Sequence, residues 1–282
     1  MGRLLHFLRD GKLVLSNLRY LVLDEADELL TENFFEDVLE VKGQKDIDPD
    51  HRTLLFSATF SSEARMRLEQ VVKKDFIFVQ IGQINSAVDT VKQDFVEVTK
   101  YKKYELLLDL LHAVATDKER EDASTWRSVE KTMVFVEHKR QSDLLSIKLA
   151  QAGFSDRTLK QRYDARLKFI HGVYEILVCT DLGAKGHNFP GVEHVINYDM
   201  PEQDRLVYIH RIGRAGRIGN IGRATSFFDP ESEFDRRHAK FYVQTLKQSM
   251  QSIPSFLQEI AEFQDSHPYV PAQSSRRRWR NH

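Results

Sequence analysis

Short apolar runs recur along the chain: "YLVLD", "TLLFSA", "FIFVQI", "TMVFVE", "EILVC", "HVINYD" and "ATSFFD". Each has the length of a buried strand and is rich in Val, Ile and Phe, and longer amphipathic stretches separate them. Alternation of this kind predicts an α/β fold whose parallel strands are covered by crossover helices. "YKKYELLLDLLHAV" (101–114) and "KRQSDLLSIKLAQAG" (139–153) carry apolar residues at helical spacing, and Gly153 supplies the stop signal of the second. The pattern breaks at "IGQINSAVDT" (81–90), a polar connector, and again after "FLQEIAEFQ", where the chain turns polar and ends in "SSRRRWRNH". "TDKEREDASTWRSVE" reads as a solvated loop before the strand at Met133. The organisation expected is a first α/β block over 1–83, a linker over 84–91, a second block over 92–250, and a C-terminal helix with a basic tail over 251–282. No sequence repeat links the two blocks.

Composition narrows the class without changing this picture. A chain of 282 residues, 41% of them hydrophobic, can bury the cores of one large or two ordinary domains. Cys179 is the single cysteine, which excludes an internal disulfide and a thiolate-rich zinc site, and the eleven histidines form no HExxH pattern. No apolar run approaches the roughly 18 residues of a membrane span. The opening "MGRLLHFLRDGK" lacks the apolar core of a secretion signal, so the expected setting is cytosolic or nuclear. The net charge of −1 excludes no partner, because a nucleic-acid binder needs a basic face and not a basic total.

Local clusters carry the chemistry. In parallel α/β sheets ligands sit beyond the C-terminal ends of strands, so the strand "YLVL" would deliver Asp24 and Glu25 to that edge. Adjacent acids there can divide the work of phosphoryl transfer, one holding Mg²⁺ and the other orienting water. The same residues equally suit a helix N-terminus, whose dipole favours acids by about 0.3–1 kcal/mol each. Past the second strand, "LLFSATF" places Ser57 and Thr59, hydroxyls able to relay between an acid pair and a neighbouring site. "YIHRIGRAGRIGNIGR" interleaves His210, Arg211, Arg214 and Arg217 with Gly213, Gly216, Gly219 and Gly222. Glycines let backbone approach a ligand, and arginines three apart can aim at one anion. "CTDLGAKGHNFPG" adds a strand-end loop suited to phosphate contacts through backbone N–H groups. Cys179 ends an apolar strand and reads as a buried core residue, Trp126 as local packing, and the helices after Asp229 as cover for the second sheet.

DEAD at 24–27, SAT at 57–59, "MVFVEHKR" at 133–140, "CTDLGAKGHN" at 179–188 and HRIGRAGR at 210–217 stand in the order and spacing of the DEAD-box ATP-dependent RNA helicases. The chain resembles their Vasa and Belle branch in "FSATF", "GQINSAVDTVKQ", "HVINYDMP", "GRATSFFDP" and "QSIPSFL". This resemblance implies tandem RecA-like parallel-sheet domains, the first incomplete, and RNA unwinding driven by ATP hydrolysis. It implies that Asp24 binds Mg²⁺ on the ATP phosphates, that Glu25 activates water, and that Asp27 ties the acid motif to the others. Ser57 and Thr59 would couple ATP state to RNA. Arg214 and Arg217 would be arginine fingers, His210 a contact near the γ-phosphate, and Arg211 an interface support. Gly2, Arg3, Thr180 and Gly186 would touch RNA phosphates, a grip through backbone and 2′-hydroxyls with little base readout. The implied protein is a monomer of the cytoplasm, nucleus or ribonucleoprotein granules, off the membrane, with room for protein partners.

The chain also departs from the family pattern. None of its thirteen glycines opens a GxxxxGK[ST] phosphate loop; the sole Gly-Lys pair, Gly11-Lys12, is followed by Leu13. Residues 1–83 therefore match half a domain and are expected to expose strand edges and apolar faces. After "AQAGFS" the sequence runs directly into "DRTLKQR", so the family's next strand is expected to be missing near 155–156. Leu159 stands where the following helix motif has Gln, while Arg162 keeps its place. Lys185, Gly186, His187 and Asn188 stand where the family has Arg-Gly-x-Asp. Asn188 can still accept from an ATP ribose, without charge assistance, at a cost on the order of 1 kcal/mol. Three functions follow from this balance: a helicase whose phosphate loop lies elsewhere, a non-catalytic relative that binds RNA or protein, and, most remote, another acid-motif NTPase or nuclease.

Overall fold

A computed structural model describes residues 1–82, 90–119, 125–154, 162–184, 186–202, 204–216 and 221–266. The chain divides into two compact units, Met1–Ser86 and Ala87–His282, each with its own parallel sheet and hydrophobic core.

In the first unit, α1 (Gly2–Arg9) precedes strand β1 (Tyr20–Leu23), the short helix α2 (Ala26–Leu29), α3 (Phe35–Lys42), strand β2 (Arg52–Leu55) and α4 (Ser62–Val71). β1 and β2 pair in parallel, Tyr20 opposite Arg52 and Leu23 opposite Leu55. Strand alternation sends Leu23 inward, where it meets Ala26, Leu30, Phe35, Val38, Ala64, Leu68 and Val71. Ser61 caps α4, its hydroxyl accepting from the Ala64 amide. A smaller cluster of Leu5, Leu8, Leu15 and Val41 seats α1 on α3. The opposite face of β1 is open, Tyr20 and Val22 being exposed together with Leu54 and Phe56 of the β2 region. Parallel sheets usually bury both faces, so this unit shows the uncovered apolar surface expected of it.

The run "FIFVQI" corrects the sequence expectation, because residues 76–81 form no strand. Ile77 is 88% exposed and Ile81 95%. A strand needs a ladder partner, and among the described residues this sheet contains β1 and β2 alone.

The second unit runs β3 (Val91–Glu97), α5 (Lys103–Val114), β4 (Thr116–Glu119), β5 (Thr125–Ser128), β6 (Thr132–Phe135), α6 (Lys139–Gln151), α7 (Arg162–Ile170), β7 (Ile176–Cys179), α8 (Asp181–Ala184), β8 (His194–Asn197), α9 (Val207–Ile212), β9 (Gly222–Phe228), α10 (Glu233–Gln248) and α11 (Ser255–Ser266). Its sheet has the order β3-β9-β8-β6-β7, all parallel. β6, β7 and β8 are buried at every position, as continuous apolar runs require. One face packs on Leu107, Leu111, Leu145, Leu149 and Phe154. The other carries Tyr208, Ile212, Phe241, Tyr242, Leu246 and Leu257, so α10 and α11 cover the sheet as expected. Cys179 is buried in that core, and burial pushes its thiol up to about 12.

Two further differences have local causes. β3 announces itself by alternation and not by an apolar run: Val91, Gln93 and Phe95 face inward between exposed or half-buried residues. It is an edge strand paired with β9 alone, so one polar side is tolerated. "TDKEREDASTWRSVE" is not a plain loop but carries the antiparallel pair β4–β5, with Thr116 opposite Ser128 and Lys118 opposite Trp126. Thr and Trp favour strands, and their preference prevails over the charge around them. The strand deletion expected near 155–156 lies outside the described residues; among the described strands β7 forms a sheet edge. No helix among the described residues is long and apolar enough to cross a membrane.

Candidate functional site

The acid and hydroxyl groups predicted for the first unit lie just beyond the C-terminal ends of its two strands. β1 stops at Leu23 and the chain turns sharply through Asp24 and Glu25 into α2. The Asp24 carboxylate, exposed, accepts from the Glu25 amide at 3.0 Å. Glu25 adopts the left-handed conformation, φ 51° and ψ 49°, which costs a non-glycine residue on the order of 1 kcal/mol. Such a cost is kept where the surroundings fix the turn, and they do: the Ala26 amide donates to the Phe56 carbonyl at 3.0 Å.

Asp27 then joins two stretches thirty residues apart. Its Oδ1 lies 2.7 Å from the Ser57 hydroxyl, and its Oδ2 accepts from the Thr59 hydroxyl, which is buried. The Ser57 oxygen is also 2.6 Å from the Thr59 carbonyl, so its single proton is shared between two acceptors. The structure therefore brings Asp27, Ser57 and Thr59 together, with Asp24 and Glu25 on the adjoining turn. Gly2 and Arg3 sit apart from them on the first turn of α1, both exposed.

In the second unit acids follow the strands in register. Two residues past β6, β7 and β8 stand Glu137, Asp181 and Asp199, and α9 inserts Arg211 among them. Arg211 is 1% exposed. Its Nε and Nη2 bind Asp181 as a fork at 2.6 and 2.7 Å, Nη1 donates to the Asp199 carbonyl at 2.6 Å, and Glu137 lies 3.5 Å away. The guanidinium also lies over the Phe135 ring, 5.2 Å from its centroid. Burial acts to lower its pKa, but the hydrogen bonds and charges of Asp181 and Glu137 outweigh this and leave it raised. Glu137 is shifted up, first by its burial, against the pull of Arg211. Arg211 is thus a clamp that fixes three strand ends and is closed to solvent.

Arg214, 7% exposed, reaches the other way and donates through Nη1 to the His187 carbonyl at 3.2 Å. The His187 ring interacts through Nε2 with the Arg166 guanidinium of α7 and meets Phe189 edge-on at 6.1 Å. Asn188 and Gly186 are exposed in this loop, Thr180 is half-buried at the end of β7, and His210 is half-buried on α9. Arg217 and Lys185 fall outside the described residues. The turn carrying Arg214 depends on two glycines. Gly216 has φ 67°, and a Cβ at Gly222 would stand 2.4 Å from the Gly216 nitrogen.

Reasoning from sequence missed Glu137, Asp181, Asp199, Arg166 and His187. A signal for the acids exists: "VFVE", "LVCTD" and "VINYD" each place a carboxylate two residues past an apolar run, where a buried arginine can collect them. Nothing in the sequence marks Arg166. Among the described residues no group of three or more His, Cys, Asp or Glu could cage a metal. An exposed single carboxylate such as Asp24 fits Mg²⁺, which commonly takes one or two protein acids and completes its shell with phosphates and water.

Parallel sheets with charged groups gathered past their strand ends are the arrangement in which α/β proteins place their ligands. Two family models match the chain, "DEAD/DEAH box helicase" over residues 1–67 and "Helicase conserved C-terminal domain" over 102–219. The chain belongs to the DEAD-box RNA helicase family and is built of RecA-like α/β units. It is 40% identical over 262 residues to the ATP-dependent RNA helicase vasa of Drosophila melanogaster, covering 91% of this chain and 37% of the relative. It is 37% identical to the probable ATP-dependent RNA helicase DDX4 of Pelophylax lessonae, covering 92% of this chain and 35% of that one. The structure resembles S. cerevisiae Dbp5 bound to RNA and ADP BeF3, with a TM-score of 0.70, 25% identity, and coverage of 94% of this chain and 67% of Dbp5. The chain spans little more than a third of the length of these two curated relatives.

Proposed function

We propose that this chain supplies the water-activating acids and the arginine-bearing unit of an ATP-dependent RNA helicase. The observation that carries this reading is the Asp27 carboxylate bonded to both Ser57 and Thr59, which makes the acid motif and the SAT motif one rigid assembly. In that assembly Asp24 would hold Mg²⁺ and Glu25 would orient the attacking water. Arg214, with Arg217, would stabilise charge on the transferring phosphoryl group, an effect worth about 10³–10⁵ in rate in comparable enzymes. ATP with Mg²⁺ supplies the phosphoryl group. Asp27, Ser57, Thr59, Asn188, His210 and Arg211 position the machinery, and Gly2, Arg3, Thr180 and Gly186 contact the RNA backbone. The working setting is the cytoplasm, with RNA as partner and the chain acting as a monomer.

A second reading, a non-catalytic RNA-binding or protein-binding relative, draws on one observation: no GxxxxGK[ST] occurs in the 282 residues. The helicase reading and the RNA-binding form of the second require RNA binding, tested by titrating the chain with single-stranded RNA and with DNA of the same sequence. RNA should bind more tightly, and its affinity should fall with salt at a log–log slope of about −0.7 per phosphate contact. Salt-independent binding, or equal affinity for DNA, overturns the helicase reading and the RNA-binding form of the second, and leaves its protein-binding form.

A further inference from the structure

We infer that His187 is a positioning residue for Arg214: its carbonyl holds the guanidinium, and its ring, docked on Arg166 and Phe189, fixes that carbonyl in place. The inference rests on the helicase reading for its purpose and on the geometry for its substance. The Arg214 Nη1 atom donates to the His187 carbonyl at 3.2 Å. A backbone acceptor is only as well placed as its peptide, and the next described residue before it, Gly186 (φ 70°), has no side chain to anchor the loop. The anchor comes from His187 itself. Its Nε2 interacts with Arg166 Nη1 on α7, and its edge meets Phe189, which is buried against Phe169 of the same helix at 5.8 Å. The ring and the neighbouring phenyl therefore bind the loop to α7 at two points, and Arg214 binds the loop to the turn after α9.

Chemistry makes this arrangement conditional on protonation state. Arg166 has only donors to offer, so Nε2 must be an acceptor, and the neutral ring must carry its proton on Nδ1. Among the described residues the charged groups facing the ring are Arg166 from α7 and Arg214 from the turn after α9, both cationic. Burial first, then these two arginines, hold the His187 pKa below its ordinary value. At neutral pH the ring is an acceptor and the anchor holds. When the ring gains a second proton, Nε2 becomes a donor facing a donor, and the carbonyl that Arg214 binds loses its anchor on α7.

The test is side-chain NMR of the isotopically labelled full chain, following the Arg214 guanidinium and the His187 ring through a pH titration. The readout needs neither nucleotide nor RNA, so failure of the helicase reading would leave it unchanged. Expected is a slowly exchanging Arg214 signal at neutral pH that is lost as His187 protonates. His187→Leu should lose the signal at every pH, and His187→Gln, whose amide oxygen can accept from Arg166, should keep it without the pH step. Arg166→Met should raise the His187 pKa and weaken the signal. An Arg214 signal unchanged in His187→Leu, or a pH step that persists in His187→Gln, overturns the assignment. Should His187→Leu not fold, the glutamine variant alone decides by the presence or absence of the pH step.

Discussion

Replacing Arg211 with methionine tests whether the three strand ends of the second unit are held by one cation. The side chain is buried to 1% exposure and makes a forked bond to Asp181 at 2.6 and 2.7 Å and a third bond to the Asp199 carbonyl at 2.6 Å. Methionine preserves much of the apolar stem and its packing on Phe135, so the loss is concentrated in the polar contacts. Removing one partner of a buried pair typically costs about 3–5 kcal/mol, because the other charge is left uncompensated. Asp181 retains a quarter of its side-chain exposure, which lets water recover part of that loss, so the expected cost is about 2–3 kcal/mol. Urea unfolding followed by circular dichroism should show the second unit melting earlier by this amount with an unchanged slope. The double variant Arg211→Met, Asp181→Asn should be less destabilised than the sum of the two single variants, since both lose the same bonds. A single-variant loss under about 0.5 kcal/mol, or simple additivity, refutes the clamp.

Gly222→Ala puts a Cβ 2.6 Å from the Ala215 Cβ and 2.4 Å from the Gly216 nitrogen; backbone must move, and a loss of about 3 kcal/mol is expected by urea unfolding, against almost none if the turn yields freely. Asp27→Ala removes the carboxylate that accepts from the buried Thr59 hydroxyl, so amide exchange over residues 26–29 and 56–60 should accelerate about thirtyfold, equivalent to roughly 2 kcal/mol, while β6–β9 stay unchanged. His194, buried at the start of β8 beside Glu130 and Arg223, is held down to about 3, first by burial and then by the Arg223 charge. The unfolded chain therefore binds a proton that the folded chain refuses. The resulting stability is complete above about pH 6.5 and is lost as pH falls from there towards 3, at up to about 1.4 kcal/mol per pH unit. His194→Gln should flatten that slope, and an unaltered slope would assign acid sensitivity elsewhere.

The fully buried strands of the second unit were legible in sequence for a physical reason. β6, β7 and β8 are central or buried on both faces, and burial writes itself as an unbroken apolar run. β3 lies at an edge and shows only alternation, while β4 and β5 sit in a charged segment where strand preference is carried by a few Thr and Trp residues. "FIFVQI" misled because composition reports the tendency to form a strand and not the presence of a partner to pair with. At the site, Asp24, Glu25, Asp27, Ser57 and Thr59 were legible through their motifs, and so were Arg211 and Arg214. Their partners were not, because a buried ion pair such as Arg211–Asp181 joins residues 30 apart, and a carboxylate two residues past an apolar run does not say which cation it meets. His187 escaped notice for a related reason: its backbone carbonyl is what holds Arg214, and a carbonyl leaves no mark on sequence.

The central claim is that these acids and arginines serve ATP hydrolysis once a phosphate-binding loop is present. It is tested most directly by RNA-stimulated ATP turnover, measured on the chain alone and on the chain joined at Met1 to the phosphate-loop segment of a vasa-type relative. The account predicts background turnover for the chain alone and RNA-dependent turnover for the joined protein, falling by about 10³ or more in Arg214→Ala and lost in Glu25→Gln. Turnover by the chain alone, or turnover in the joined protein that survives Glu25→Gln, would contradict it.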